Sequence, residues 1–128
     1  MFNRIILVGN LTRDPEIRYT PSGVAVATVP IAVNSRFRQG DEMKEETLFI
    51  DTIVFGKQAE ACTQYLNKGR TVLVEGRLRE RRWEYEGQKK SKVEVIANTI
   101  RFLSKRESVE SHDTEQIPPE EYTDSEPF

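Results

Sequence analysis

Residues 57–68, KQAEACTQYLNK, differ in hydrophobic spacing from the segments on both sides of them. Four of their side chains fall on one face of a helix: Ala61, Cys62, Tyr65 and Leu66. Gly69 follows at the position where a glycine commonly ends a helix. The pattern predicts one short amphipathic helix whose packing face includes Cys62 and Tyr65.

Segments rich in β-branched residues flank this helix. Three precede it, at residues 4–11 (RIILVGNL), 24–34 (VAVATVPIAVN) and 47–55 (TLFIDTIVF). Two follow it, at residues 70–85 (RTVLVEGRLRERRWEY) and 91–103 (SKVEVIANTIRFL). Pro30 cannot donate a ladder hydrogen bond and therefore predicts a sheet edge or a bulge. The charged residues 36–46 (RFRQGDEMKEE) predict a mobile loop within a long hairpin.

One helix between the third and fourth of five strands is the arrangement of the OB-fold. This fold is a mainly β, five-stranded Greek-key barrel that binds oligonucleotides across its second and third strands and the adjoining loops. A parallel βαβ design would need helices between most strands, and the sequence offers only one. The order of segments therefore predicts an OB-fold.

Charge divides the chain into two parts. Up to Arg106 there are 19 Lys and Arg against 13 Asp and Glu, a balance of +6, whereas residues 107–128 carry eight acids and neither Lys nor Arg. The second part also lacks hydrophobic periodicity, so it has too little apolar surface to offset its ordering entropy. We predict a folded, basic domain over residues 1–106 that binds a polyanion, and a disordered acidic tail over residues 107–128.

Several classes of function find little support in the residues. The single cysteine, Cys62, excludes an intrachain disulfide, and no Cys/His spacing suggests zinc. His112 lies in the tail, and no nucleophile has a recognisable base. Four acids are the candidates for a two-metal nuclease, but their spacing is not that of a known metal site: Glu45, Glu46, Asp51 and Glu75. We predict no catalytic residue, metal or cofactor.

The apolar run from Ile5 to Val8 is too short for the core of a signal peptide or for a membrane span. This predicts a cytoplasmic protein.

Alternation along EGRLRERRWEYEGQKK, residues 75–90, suggests a binding surface. Successive strand side chains point to opposite faces. One face has apolar residues suited to the barrel interior, Val72, Val74 and Leu78. The other combines three cations with two aromatic rings: Arg77, Arg79, Arg81, Trp83 and Tyr85. Such a track suits phosphates and stacked bases, although a solvated charged face is the alternative and a bulge near Glu80 would shift the alternation.

Three phenylalanines extend this hypothesis. Phe37 lies between Arg36 and Arg38, and Phe49 and Phe55 share one face of the third strand. Stacking on such rings requires unpaired bases, so the expected ligand is a single strand. Packing in the core is the alternative for the three phenylalanines and for Trp83, and a solvated hairpin tip is the alternative for Lys89, Lys90 and Lys92.

Two long stretches resemble the bacterial single-stranded DNA-binding protein family: residues 3–34 (NRIILVGNLTRDPEIRYTPSGVAVATVPIAVN) and 45–87 (EETLFIDTIVFGKQAEACTQYLNKGRTVLVEGRLRERRWEYEG). The final Pro-Phe resembles the end of that family's tail. The resemblance covers residues 2 to 103 and the last two residues.

The resemblance implies four positions for base stacking: Phe37, Phe49, Phe55 and Trp83. It also implies a homotetramer that acts in replication, recombination and repair, and a C-terminal tip that binds other proteins of these processes. This tip comprises Asp124, Glu126, Pro127 and Phe128. Glu126 stands where an isoleucine is usual in the family, so the resemblance implies either weaker docking or different partners.

The complete set of predicted DNA contacts follows from the two arguments together. Bases are expected to stack on five aromatics: Phe37, Phe49, Phe55, Trp83 and Tyr85. Phosphates are expected at nine cations: Arg4, Arg36, Arg38, Lys57, Arg77, Arg79, Arg81, Lys89 and Lys90. We predict sequence-independent binding of single-stranded DNA; an RNA-binding OB-fold module and an interaction module of replication restart are the alternatives.

Overall fold

The computed structural model describes residues 1–103 of the chain. They form six strands and one helix: β1 (Ile5–Leu11), β2 (Glu16–Tyr19), β3 (Ala25–Gln39), β4 (Glu42–Phe55), α1 (Lys57–Tyr65), β5 (Thr71–Tyr85) and β6 (Gln88–Phe102). The predicted tail and its tip lie outside the described residues.

Five strands close into a barrel because β1 pairs with two neighbours. Their order is β1-β5-β6-β4-β3, and β1 then pairs again with β3 through Asn10 and Leu11. The short β2 adds to the edge of β3. The predicted OB-fold, with a helix preceding the last two strands, is confirmed. The sequence did not predict β2, because its four residues have little apolar character.

Residues 36–46 are not a mobile loop, and that prediction is wrong. β3 and β4 stay paired from Val26 opposite Phe55 to Gln39 opposite Glu42, so the charged residues continue the ladder. Both sides of this extension face solvent, which explains its loop-like composition. β5 and β6 form a second long hairpin, paired from Val72 opposite Phe102 to Tyr85 opposite Gln88.

Pro30 lies in the β3–β4 ladder without a register shift, opposite Asp51. On its other side it lies between two ladders, because β2 pairs with β3 only up to Thr28 and β1 pairs from Ile31 onward; only its carbonyl oxygen is bonded there, to the amide of Thr12 at 2.9 Å. Pro30 therefore occupies a local sheet edge, one of the two predicted situations, and no bulge is present there.

The core fills the barrel beneath the helix. Its fully buried side chains include Val29, Ile31, Val54, Val72, Val74 and Val95. The helix contributes Ala59 and Cys62, and burial raises the pKa of the Cys62 thiol to about 11. Tyr65 is exposed, so its predicted packing role is wrong; the buried residues of this segment are Ala59, Cys62 and Leu66.

Two glycines allow strands to approach where the barrel closes. A Cβ on Gly76 would lie 2.0 Å from the carbonyl oxygen of Ile96, and one on Gly9 would lie 2.6 Å from that of Ala32. The register between β5 and β6 also shifts here, because Glu75 opposes Thr99 whereas Gly76 opposes Ala97. The extra residue is a bulge in β6, and bulges bend a strand.

The helix is joined to this bulge by one side chain. The Gln58 amide donates to the carbonyl oxygen of Asn98 at 2.9 Å and accepts from the amide of Ile100 at 3.0 Å. It thereby satisfies backbone groups that a regular ladder would have paired. Beyond Gly76, Leu78 is exposed, so its predicted place in the interior is wrong.

Replacement of Gly76 by alanine is expected to destabilise the domain by about 1–3 kcal/mol or more, because the new methyl group collides with the backbone of β6. Urea unfolding followed by circular dichroism measures the change. The exposed residue Ser91 on the same hairpin supplies the control: Ser91→Ala should stay within about 0.5 kcal/mol of the unchanged chain. Equal stabilities for the two variants would contradict the close approach.

Candidate nucleic-acid interface

The strand register places side chains from four strands on one outer surface. Opposed residues in a ladder project to the same side. Phe49 opposes Ala32, Ile53 lies beside Ile96, and Arg79 opposes Glu94. The shared surface therefore carries even-numbered residues of β3 and of β6 up to Ile96, and odd-numbered residues of β4 and β5. We call this surface the outer face.

Four of the five predicted stacking residues lie together on the outer face: Phe49, Phe55, Trp83 and Tyr85. Their exposed fractions range from 38% for Trp83 to 70% for Phe49. Neither Phe49 nor Phe55 is buried in the core, so the core-packing alternative is wrong for both. The bulge near Gly76 precedes the arginines and leaves their alternation with Trp83 intact.

Phe37 points to the reverse side of the β3–β4 hairpin. It opposes Lys44, whereas its neighbours Arg36 and Arg38 oppose Glu45 and Met43 on the outer face. Phe37 is nonetheless exposed, and its role in stacking stays a prediction.

The predicted phosphate contacts fall into three groups. Among residues 1–103, five of them make no ion pair: Arg38, Lys57, Arg77, Lys89 and Lys90. Lys89 opposes Glu84 on the reverse side of its hairpin, and Lys57 opens the helix. Two others bind exposed or half-buried acids, since Arg36 pairs with Glu45 at 3.1 Å and Arg4 pairs with Glu75.

The remaining two, Arg79 and Arg81, share a buried carboxylate. Glu94 is only 1% exposed, and its oxygens lie 2.5 Å from Nη2 of Arg79 and 3.4 Å from Nε of Arg81. The guanidinium carbon of Arg81 in turn lies 4.6 Å from the ring centroid of Trp83, within the range of a cation–π contact. Beside this group, Lys92 pairs with Asp51.

Sequence reasoning missed Glu94 and Arg18 as members of this surface. Arg18 lines a small cavity on the outer face together with Arg79, Arg81 and Glu94. One signal was available, because Glu94 is a single acid between Val93 and Val95 in an otherwise apolar segment. A charge at such a position commonly has a partner. The sequence did not show which residue that partner is.

Two open grooves adjoin the exposed aromatics. One, of about 380 Å³, lies beside Phe49 and is also lined by Arg13, Pro30 and Lys92. The other, of about 560 Å³, lies beside Trp83 and is also lined by Ser91, by three cations and by two acids: Arg82, Lys89, Lys90, Glu80 and Glu84. Each groove places an aromatic ring beside cations and at least one acid, Asp51 in the first, so the ring suits a flat ligand while the charge of the lining is mixed.

Within residues 1–103, no group of three or more His, Cys, Asp or Glu side chains is arranged to hold a metal ion. The described part of the chain also contains no helix with the length and apolar character that a membrane crossing requires.

The model of the single-strand binding protein family matches residues 2–103. The chain belongs to this family. It is a family of DNA-binding proteins without catalytic activity, in agreement with the prediction that the chain is not an enzyme. The resemblance inferred from the sequence motifs is thereby confirmed.

Relatives with known names support this membership. The single-stranded DNA-binding protein of Treponema pallidum is 48% identical over 101 residues, which are 79% of this chain and 57% of that protein. The chain thus spans little more than half the length of this relative. The single-stranded DNA-binding protein of Thermotoga maritima is 45% identical over 127 residues, which are 95% of this chain and 90% of that protein.

Solved structures show the same architecture. A structure titled as the Plasmodium falciparum SSB complex with ssDNA superposes with a TM-score of 0.75 at 32% identity. The superposition covers 81% of this chain and 96% of that one.

Proposed function

We propose that this protein binds single-stranded DNA without strong sequence preference, protecting strands that are exposed in replication, recombination and repair. The observation that carries the proposal is the placement of four exposed aromatics on one face: Phe49, Phe55, Trp83 and Tyr85. Family membership and the named relatives support the same ligand.

The chemistry of the outer face favours a single strand over a duplex. Each exposed ring offers a surface for one unpaired base, and stacking on aromatic side chains contributes about 1–3 kcal/mol per base. Every base has such a π-face, so this binding tolerates any sequence. The bases of a duplex are already stacked and paired and cannot use these rings.

Phosphates are assigned to the predicted cations, which differ in availability. Arg77 and Lys90 lie on the outer face beside the aromatics and make no ion pair among the described residues. They are proposed as direct phosphate contacts, with Arg38, Lys57 and Lys89 at the margins. Four others are already paired with acids, which they must exchange or share when a phosphate approaches: Arg4, Arg36, Arg79 and Arg81. Binding should weaken with added salt.

The proposed homotetramer finds support in apolar residues on the outside of β1. Ile6 and Val8 are 60% and 47% exposed, and they lie beside Leu73 on the neighbouring strand β5. Side chains of this kind form an apolar patch that a second copy would cover. We therefore propose that copies of the chain associate through β1.

The charge pattern underlies the proposals for the rest of the chain. We propose a DNA-binding domain over residues 1–106 and a partner-binding tail over residues 107–128, whose tip recruits genome-maintenance proteins. The cytoplasm, at the nucleoid, is the proposed location because the ligand is DNA. The tail carries eight acids, and its last two residues match the end of the family's tail.

Loss of a stacking ring should weaken DNA binding. Trp83→Ala and Phe49→Ala are each expected to raise the Kd for a labelled oligothymidine roughly 5- to 150-fold, because each removes the platform for a base. Fluorescence titration at two salt concentrations measures this effect. Tyr65→Ala removes an aromatic that is 58% exposed on the helix and should leave the Kd unchanged.

The same titration includes a duplex and an RNA of matched sequence. Equal affinity for the duplex, or no effect of either ring, would refute single-strand stacking. Preference for the RNA would favour the RNA-binding alternative.

A charge in the apolar patch of β1 should disrupt assembly. Val8→Glu is expected to lower the molar mass in light scattering from the tetramer toward smaller species, because the carboxylate would be desolvated at the interface. Val24→Glu is the matched control, since Val24 is 43% exposed but lies before β3, away from the patch. An unchanged mass for Val8→Glu would exclude β1 as the interface.

The tip is expected to bind proteins as an isolated peptide. Residues 119–128 (PEEYTDSEPF) should bind at least one enzyme in a panel of purified replication, recombination and repair enzymes. Deletion of Pro127 and Phe128 should weaken this binding at least about tenfold, because an aromatic anchor commonly dominates such contacts. Equal binding of both peptides, measured by fluorescence polarisation, would refute the proposed tip.

A further inference from the structure

Glu94 is a fully buried acid within a surface that is otherwise suited to an anionic ligand. It is 1% exposed, whereas Arg79 and Arg81, which it binds, keep side-chain exposures of 39% and 47%. A buried carboxylate opposes binding of DNA through its charge and is costly to desolvate. Its presence on this face therefore calls for a reason other than charge.

The contacts of Arg81 supply that reason. Its Nε donates toward Oε1 of Glu94 at 3.4 Å, while its guanidinium carbon lies 4.6 Å from the centroid of the Trp83 ring. The guanidinium thus lies over the indole ring and is bonded through Nε to the carboxylate. A half-exposed arginine keeps several rotamers open in water, and a fixed carboxylate restricts them.

We propose that Glu94 is a positioning residue that holds Arg81 against one face of Trp83 and leaves the other face of the indole for a DNA base. The second oxygen of Glu94 binds Nη2 of Arg79 at 2.5 Å, which fixes the carboxylate itself. The stacking platform is therefore ordered before DNA arrives, and less ordering entropy is lost on binding.

The same arrangement sets the charge of this part of the outer face. Arg79 and Arg81 together with Glu94 present one net positive charge, and the neighbouring Lys92 and Asp51 cancel each other. Arg18, which lines the adjacent cavity, adds another cation. The arginines next to Trp83 thus contribute less to salt-dependent binding than their number suggests.

The ordering of Arg81 by Glu94 can be tested without DNA. In the free full-length chain, the ring current of Trp83 should shift the NMR resonances of the Arg81 side chain, and Trp83 is the only tryptophan in the sequence. Glu94→Gln should abolish most of this shift. Glu80→Gln is the matched control, because Glu80 pairs with Arg82 on the reverse side of the same hairpin and should leave the shift unchanged.

A shift that survives in Glu94→Gln would overturn the proposal. If that variant does not fold, Glu94→Asp replaces it: the shorter side chain keeps the charge but cannot reach both arginines, so it too should lose the shift. A retained shift in Glu94→Asp would likewise overturn the proposal.

The part that concerns DNA rests on the proposed function. Glu94→Gln should bind a labelled oligothymidine about fivefold or more weakly at about 1 M salt, where stacking dominates. Its plot of log affinity against log salt should be steeper by about 0.7, because one further phosphate can be neutralised. Glu80→Gln should match the unchanged chain in affinity at about 1 M salt, because Glu80 contacts neither Arg81 nor Arg79.

The experiments distinguish failure of the positioning role of Glu94 from failure of the proposed function. Equal affinities of Glu94→Gln and Glu80→Gln for the oligothymidine at about 1 M salt would overturn the positioning role. Failure of the unchanged chain to bind any single strand would refute the proposed function, while the Arg81 resonances would still decide whether Glu94 orders Arg81 against Trp83.

Discussion

The close approach of β5 to β6 at Gly76 is the constraint on which the other features depend. A side chain at this position would meet the backbone of β6, and the register shift beside it bends the strands. On one side of this point the strands close into a barrel around a dry core. On the other side they continue as a hairpin whose distal residues are exposed, including Trp83 and Tyr85.

The helix belongs to the same arrangement. Gln58 bonds the backbone on both sides of the bulge, so docking of the helix and bending of β6 stabilise each other. Ala59, Cys62 and Leu66 then cover the barrel, and the preceding Phe55 is left exposed on the outer face. The site thus depends on barrel closure, although none of its aromatic rings belongs to the barrel core.

The cations of the outer face differ in whether they are paired with an acid, which a count of lysines and arginines does not show. Some cations, such as Arg77, make no ion pair among the described residues, whereas Arg79 and Arg81 share one buried acid. Exposed ion pairs contribute little to stability, so the exposed Arg36–Glu45 pair is readily exchanged for a phosphate. The buried carboxylate of Glu94 orders the side chains of Arg79 and Arg81, and its removal would leave both arginines without their partner.

The sequence alone was sufficient to predict the OB-fold and the single helix. It also predicted that Phe49 and Phe55 share one face of a strand, and that Trp83 shares a face with the alternating arginines. The helix follows from its own hydrophobic spacing, the OB-fold from the order of the segments, and the shared faces from period-two alternation within one strand. Tertiary structure decided which strands lie side by side. Glu94 meets Arg79 and Arg81 only through the register of the β5–β6 hairpin, and Asp51 meets Lys92 across 41 residues of chain. The long hairpin was predicted, but the continuation of its strands through residues 36–46 was missed for a related reason: a strand exposed on both faces has the composition of a loop, and only its pairing partner distinguishes the two.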